Sequence, residues 1–273
     1  LDTGELVDRK TDVFSTPRAA YIDEAGIVWV CGASSYLYRY DPVAKTGEKF
    51  DIPAGTFPNA NSFNAFGLTG DGQGNLYFGT YNIAYLGKFD TKTKTFSRVS
   101  EHLYATPEDG KGADTNRAGD AGVIVKDGYA YLGADGDVNN DGVVTHQILK
   151  IELSTGNIVD YVDISGRLNS SYLDEMALVG DVLLASSEKA TNGSIAVDIS
   201  GTEMKLLDID TGGGEFLLSL HHPYENTAAM ENYPPNVQLC KEKLLPLGID
   251  FKQADGNGKT HLARLSQNVD KTW

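Results

Sequence analysis

Apolar and polar side chains alternate in short bursts along most of this chain, and glycine or aspartate bounds nearly every burst. In residues 26–50, Val28 to Cys31 follow Gly26, Tyr36 to Tyr40 precede Asp41, and Phe50 ends the stretch after a Gly- and Lys-containing turn. Period-two runs separated by turn residues predict strands joined as hairpins. A further strand over 19–23, turning at 23–26, precedes them.

The pattern then returns. Its opening glycines stand at 26, 74, 128 and 180, so the steps are 48, 54 and 52 residues. After each glycine come an apolar strand, a second strand (86–90, 148–152 and 195–198 in the later copies) and a third (95–99, 156–160 and 204–207). Self-similarity at a period of roughly 40 to 50 residues, with several strands per period, predicts β-propeller blades. A β-sandwich also has regular short strands, but it does not require matching turns.

The C-terminal third is less regular, with strands expected at 215–220, 245–251 and 260–265 and a short helix over 235–243. Residues 3–8 match the outer-strand segment 155–160 yet have no inner strands of their own. The expectation is therefore one all-β domain over 1–273, a five-bladed propeller closed by pairing the N-terminal strand with the C-terminal blade. Its blades are expected at 18–53, 64–101, 120–165, 174–210, and 215–273 joined by 1–10. The alternative is a part of a larger propeller.

Composition narrows the function classes. The 273 residues carry 38 acidic and 23 basic side chains, a formal charge of -15, which repels nucleic-acid phosphates and suits cation binding or an extracellular or periplasmic protein. No apolar run approaches the roughly 18 residues of a membrane helix, so no membrane insertion is expected. Of the two cysteines, Cys31 lies in an apolar strand and reads as a small core residue, with pairing to Cys240 left open.

In a propeller, blade-to-blade connections share one face with the turn between second and third strands. That face is expected to carry nearly all the added length here: 53–63, 101–119, 166–173, 211–235 and the insertion 135–145. Long loops on a rigid scaffold are where binding and catalysis concentrate. The insertion holds Asp135, Asp137, Asn139 and Asp141 ahead of Gly142, oxygen ligands at alternate positions that can wrap Ca2+ with the carbonyl of Val143. Ile148 occupies the place of a bidentate glutamate, which excludes an EF-hand; a solvated acidic turn is the plainer reading.

Arg18, Asn64, Asp120 and Glu175 precede the first strands of four blades and are expected near the central channel. Asp120 and Glu175 are candidates for paired catalytic carboxylates, or they hydrogen-bond backbone at the channel mouth. His221, His222 and Tyr224 offer a candidate general base; packing of that loop by its own aromatics explains them equally. Tyr81, Tyr104, Tyr172, Tyr224 and Tyr233, with Asn64 and Arg117, are candidate ligand-binding residues, the tyrosines by stacking.

The strands of form Gly-x-Leu-Tyr/Trp-Val/Phe-x-Gly, followed by Leu-x-Arg/Lys-Tyr/Phe-Asp, resemble the blades of gluconolactonase, streptogramin-lyase and quinoprotein-like propellers over about residues 18 to 210. The resemblance implies blades and no particular enzyme. It also implies that Asn64, Asp120 and Glu175 are placed where gluconolactonase-like propellers carry a metal, with spacing that matches only loosely. Two functions follow as expectations. One is a secreted propeller with structural calcium that binds a glycan, protein or small-molecule ligand. The other is a metal-dependent hydrolase or lyase acting on a carbohydrate, lactone or ester at the channel.

Overall fold

The structure is a computed structural model that describes residues 17–32, 35–57, 65–80, 85–100, 117–136, 145–165, 175–186, 195–207, 249–253 and 263–267. The first sheet contains β1 (Pro17–Ile22), β2 (Val28–Gly32), β3 (Tyr36–Asp41) and β4 (Thr46–Asp51). The second contains β5 (Ala65–Gly70), β6 (Asn75–Thr80), β7 (Leu86–Asp90) and β8 (Thr95–Ser100). β9 (Arg117–Lys126), β10 (Tyr129–Gly136), β11 (Thr145–Glu152) and β12 (Ile158–Asp163) form the third, and β13 (Glu175–Val179), β14 (Val182–Ser186), β15 (Ile195–Asp198) and β16 (Lys205–Leu207) the fourth. Each is an antiparallel meander in chain order, and β17 (Ile249–Gln253) pairs separately with β18 (Ala263–Gln267).

Alternation along each strand divides its side chains between two neighbouring sheets. Leu76 and Phe78 pack toward the first sheet with Trp29, Leu37 and Phe89, whereas Tyr77 packs toward the third with Leu132, Leu149 and Ile151. Tyr131 and Ile148 turn the other way, onto Leu183, Ile195 and Val197 of the fourth sheet. Phe89 holds an aromatic cluster together, its ring centroid 4.6 Å from Phe96, 5.1 Å from Phe50 and 5.9 Å from Trp29. Such pairs add about 0.5–1.5 kcal/mol each beyond area burial. The Cys31 thiol is fully buried in this layer, and burial pushes it up to about 12, so it acts as packing.

The first strands of successive sheets lie side by side: β1 touches β5, β5 touches β9 and β9 touches β13. Sheets stacked in chain order about their first strands form the arrangement of propeller blades. β18 also touches β13. Phe251 stands opposite Leu265 in this pair, and the two strands run past the ends expected at 251 and 265 to Gln253 and Gln267. The N-terminal strand at 3–8, the strand at 215–220, the helix at 235–243 and Cys240 fall outside the described residues.

Three of the inner strands carry a bulge. Pairing skips Arg18 in β1 and Gly67 in β5, and in β9 it skips from Val123 to Ala118 while β10 advances only from Leu132 to Ala134. This extends the third inner strand back to Arg117, beyond the start expected at Asp120: pairing resumes past the bulge instead of ending at it. Gly67 and Gly122, with φ of 64° and 102°, sit at these bulges, and a Cβ on Gly67 would stand 2.5 Å from the Gly122 Cα. Two backbones thus meet where no side chain fits.

The turns within strand pairs β1–β2 and β5–β6 are fixed by an aspartate that reaches six residues on. Asp23 accepts from the Ala25 and Ile27 amides, at 3.0 Å each, and from Trp29 Nε1 at 2.9 Å. Asp71 accepts from the Gln73 and Asn75 amides at 2.8 and 3.0 Å and from Asn75 Nδ2 at 2.6 Å, while the Tyr77 hydroxyl lies at 3.4 Å. Partial burial of Asp71 opposes ionisation, but these hydrogen bonds outweigh it and hold the carboxyl below its ordinary value. Burial, then the Asp71 charge, pushes Tyr77 up to about 12.

Candidate functional site

A four-stranded meander has two ends, and this chain treats them differently. One end carries turns within strand pairs such as 42–45, 91–94, 127–128 and 180–181. At 127–128, Asp127 and Gly128 have φ of 51° and 83°, as a two-residue type I′ hairpin requires. The other end carries 52–64, 101–116, 137–144, 164–174 and 187–194. These five connections therefore leave the sheets on one side; the connection expected at 211–235 lies outside the described residues.

Buried polar side chains gather at that same end. Of the five among the described residues, Thr80, Ser100, His146 and Gln147 lie at the end of the sheets that carries these connections, and Lys150 lies near the other end. The Tyr85 amide donates to Thr80 Oγ1 at 2.9 Å, and Thr80 N–H donates to the Tyr85 carbonyl. The His146 amide donates to Ser165 Oγ at 2.9 Å, and its carbonyl accepts from the Ile164 amide. Burying polar groups is costly unless they are satisfied, and these four have partners within the protein, so they fix the strand ends at this side of the sheets.

Backbone register assembles one row at this end. Asp135 of β10 pairs with Arg117 of β9 on one side and with His146 of β11 on the other. Arg117 and Asp135 were legible candidates; His146 was not, because it opens a strand whose apolar pattern drew attention to Ile148 and Leu149. Its signal was its place directly after the acidic insertion. Asp120 lies in the bulged part of β9 and Glu175 is the first residue of β13, so the two sit on touching inner strands. Arg18 is the exposed bulge residue of β1. Asn64, Tyr81, Tyr104, Tyr172, His221, His222, Tyr224 and Tyr233 lie outside the described residues, as do Asp137, Asn139, Asp141 and Val143.

Among the described residues no group of three or more His, Cys, Asp or Glu side chains is placed to hold a metal. None of their helices is long and apolar enough to cross a membrane. What this end supplies is a set of strand ends held rigid by satisfied buried polar groups, from which the long connections leave.

No protein-family model matches the chain, and no curated protein matches its sequence. Among solved structures it is similar to a chain of a nidogen/laminin complex, at 13% identity over 72% of this chain and 64% of that one, with a TM-score of 0.49. It is similar to the Dos1 propeller at 11% identity over 70% and 47%, TM-score 0.46. The extracellular domain of a hybrid two-component system from B. thetaiotaomicron gives 14% identity over 72% and 25%, TM-score 0.43. The chain spans less than two-thirds of the length of each. At such identities their partners and ligands do not transfer to this chain.

Proposed function

We propose that this chain is a ligand-binding β-propeller of an extracellular or periplasmic protein, recognising a glycan or another protein through its long-connection end. The observation that carries this reading is the gathering of the connections 52–64, 101–116, 137–144, 164–174 and 187–194 at one end of the sheets. Long loops on rigid strand ends are the usual platform for recognition. Calcium in the 135–145 insertion would order one of those loops, and a ring closed by pairing 3–7 beside 260–265 would hold the platform together.

The enzymatic reading, a metal-dependent hydrolase or lyase, is favoured by the adjacency of the inner strands bearing Asp120 and Glu175. It stands second because recognition needs no further group, whereas hydrolysis also needs a positioned water or metal.

The test is a glycan and protein array probed with the whole chain, followed by affinity measurements on two variants. Replacing residues 101–116 with a short Gly-Ser linker should weaken the ligand found by about ten-fold or more, since loop contacts dominate such sites. Val43→Ser, at an exposed position in the 42–45 turn of the opposite end, should leave it unchanged. Equal losses from both ends would remove the assignment.

A further inference from the structure

The end closed by tight turns is not flat. Between the second and third sheets it opens into a groove of about 690 Å³ walled by Asp71, Tyr77, Asp127, Tyr129 and Glu152. A smaller recess of about 210 Å³, walled by Tyr21, Asp23 and Glu24, lies between the first and second sheets. The two share Gly70 and Asn75, so they form one track across three sheets.

The charge of this track is one-sided. The two linings together contain five carboxylates and one cation, Lys126. Lys126 is turned away: its Nζ donates to the Gly180 carbonyl at 2.8 Å and contacts the Asp181 carboxylate on the fourth sheet. Lys92 stands at the edge, its side chain passing Gly74. Lys150 lies on the Tyr129 ring, with Nζ 4.6 Å from the centroid, donates to the Thr202 carbonyl and is buried. Asp23 and Asp71 spend much of their hydrogen-bonding capacity on their own turns, and Glu152 Oε2 accepts from Thr155 Oγ1 at 2.7 Å, so Glu24, Asp127 and the other oxygen of Glu152 are most available to a partner.

We infer that this track docks an extended cationic peptide segment with a lysine or arginine at every third residue. The spacing follows from the architecture. Stacked sheets lie about 10 Å apart, so recesses between successive sheets recur at about that interval. A polyproline-II chain rises about 3.1 Å per residue and returns to the same side every third residue, roughly 9 Å on. Tyr21 and Tyr129, both half-buried, add aromatic surface for the ammonium or guanidinium beside the carboxylates.

Two labelled nine-residue probes of equal composition test this by fluorescence anisotropy. One repeats Lys-Pro-Pro three times; the other places its three lysines together ahead of six prolines. The spaced probe should bind about ten-fold more tightly than the clustered one at low salt, and both should weaken as salt rises. The double variant Glu24→Gln with Glu152→Gln should bring the spaced probe down to the clustered level. Asp51→Asn with Glu203→Gln, an equal charge change outside the track, should leave the preference intact. Equal binding of the probes, equal losses from both double variants, or no binding of either would overturn the inference, the first two by reducing it to the general field of a chain with net charge -15.

Discussion

Gly67 shows how a single position can be fixed by something far away in sequence. Its φ of 64° favours glycine, and a Cβ there would also stand 2.6 Å from the Val123 amide nitrogen, with backbone that cannot swing aside. Gly26 has a similar φ, 78°, but open space around its missing Cβ. Gly26→Ala should therefore cost only the left-handed backbone penalty, about 1–2 kcal/mol. Gly67→Ala should cost that plus steric displacement, about 3–5 kcal/mol in all. Urea unfolding of both variants separates the two, and equal costs would mean that β5 and β9 do not meet as described. The sequence shows a glycine at both positions and cannot rank them, because the difference lies in a contact between residues 67 and 122.

At the scale of the element, hairpins are the best-read part of the chain. Apolar alternation ended by Asp and Gly is local chemistry, so Leu76 to Gly79 reads as strand and β6 runs Asn75–Thr80, with Asp71 tying the turn before it. Bulges were not legible. They arise where inner strands of different sheets press together, and nothing local marks Arg18 as skipped in pairing or carries β9 back to Arg117. The candidate site was read in part: the acidic insertion and Arg117 were visible as side-chain chemistry, whereas His146 became interesting only through its register with Asp135. That hairpin carries its own prediction. Calcium should raise the melting temperature of the chain relative to chelator, since an ion that binds only the folded state stabilises it by mass action. Asp137→Ala and Asp141→Ala should abolish the rise; a wild type indifferent to calcium would leave the insertion a solvated acidic turn.

For the molecule as a whole, three apolar layers join four sheets in succession, and each layer consumes one face of each neighbour. Such a stack leaves its first and last sheets with an outward face unless the ends meet, and an open sheet edge invites pairing with other chains. A closed ring would hold the long connections as one binding rim. The repeat made the sheets legible, whereas the closure expected from the match of 3–8 to 155–160 involves residues outside the described ones and stands as a prediction. The most direct measurement is a thermal melt of the chain lacking residues 1–10 beside the intact chain. Removing a closing strand should cost several kcal/mol, and at about 2–4 °C per kcal/mol the midpoint should fall by roughly 10 °C. A midpoint that does not move would contradict closure by the N-terminal strand.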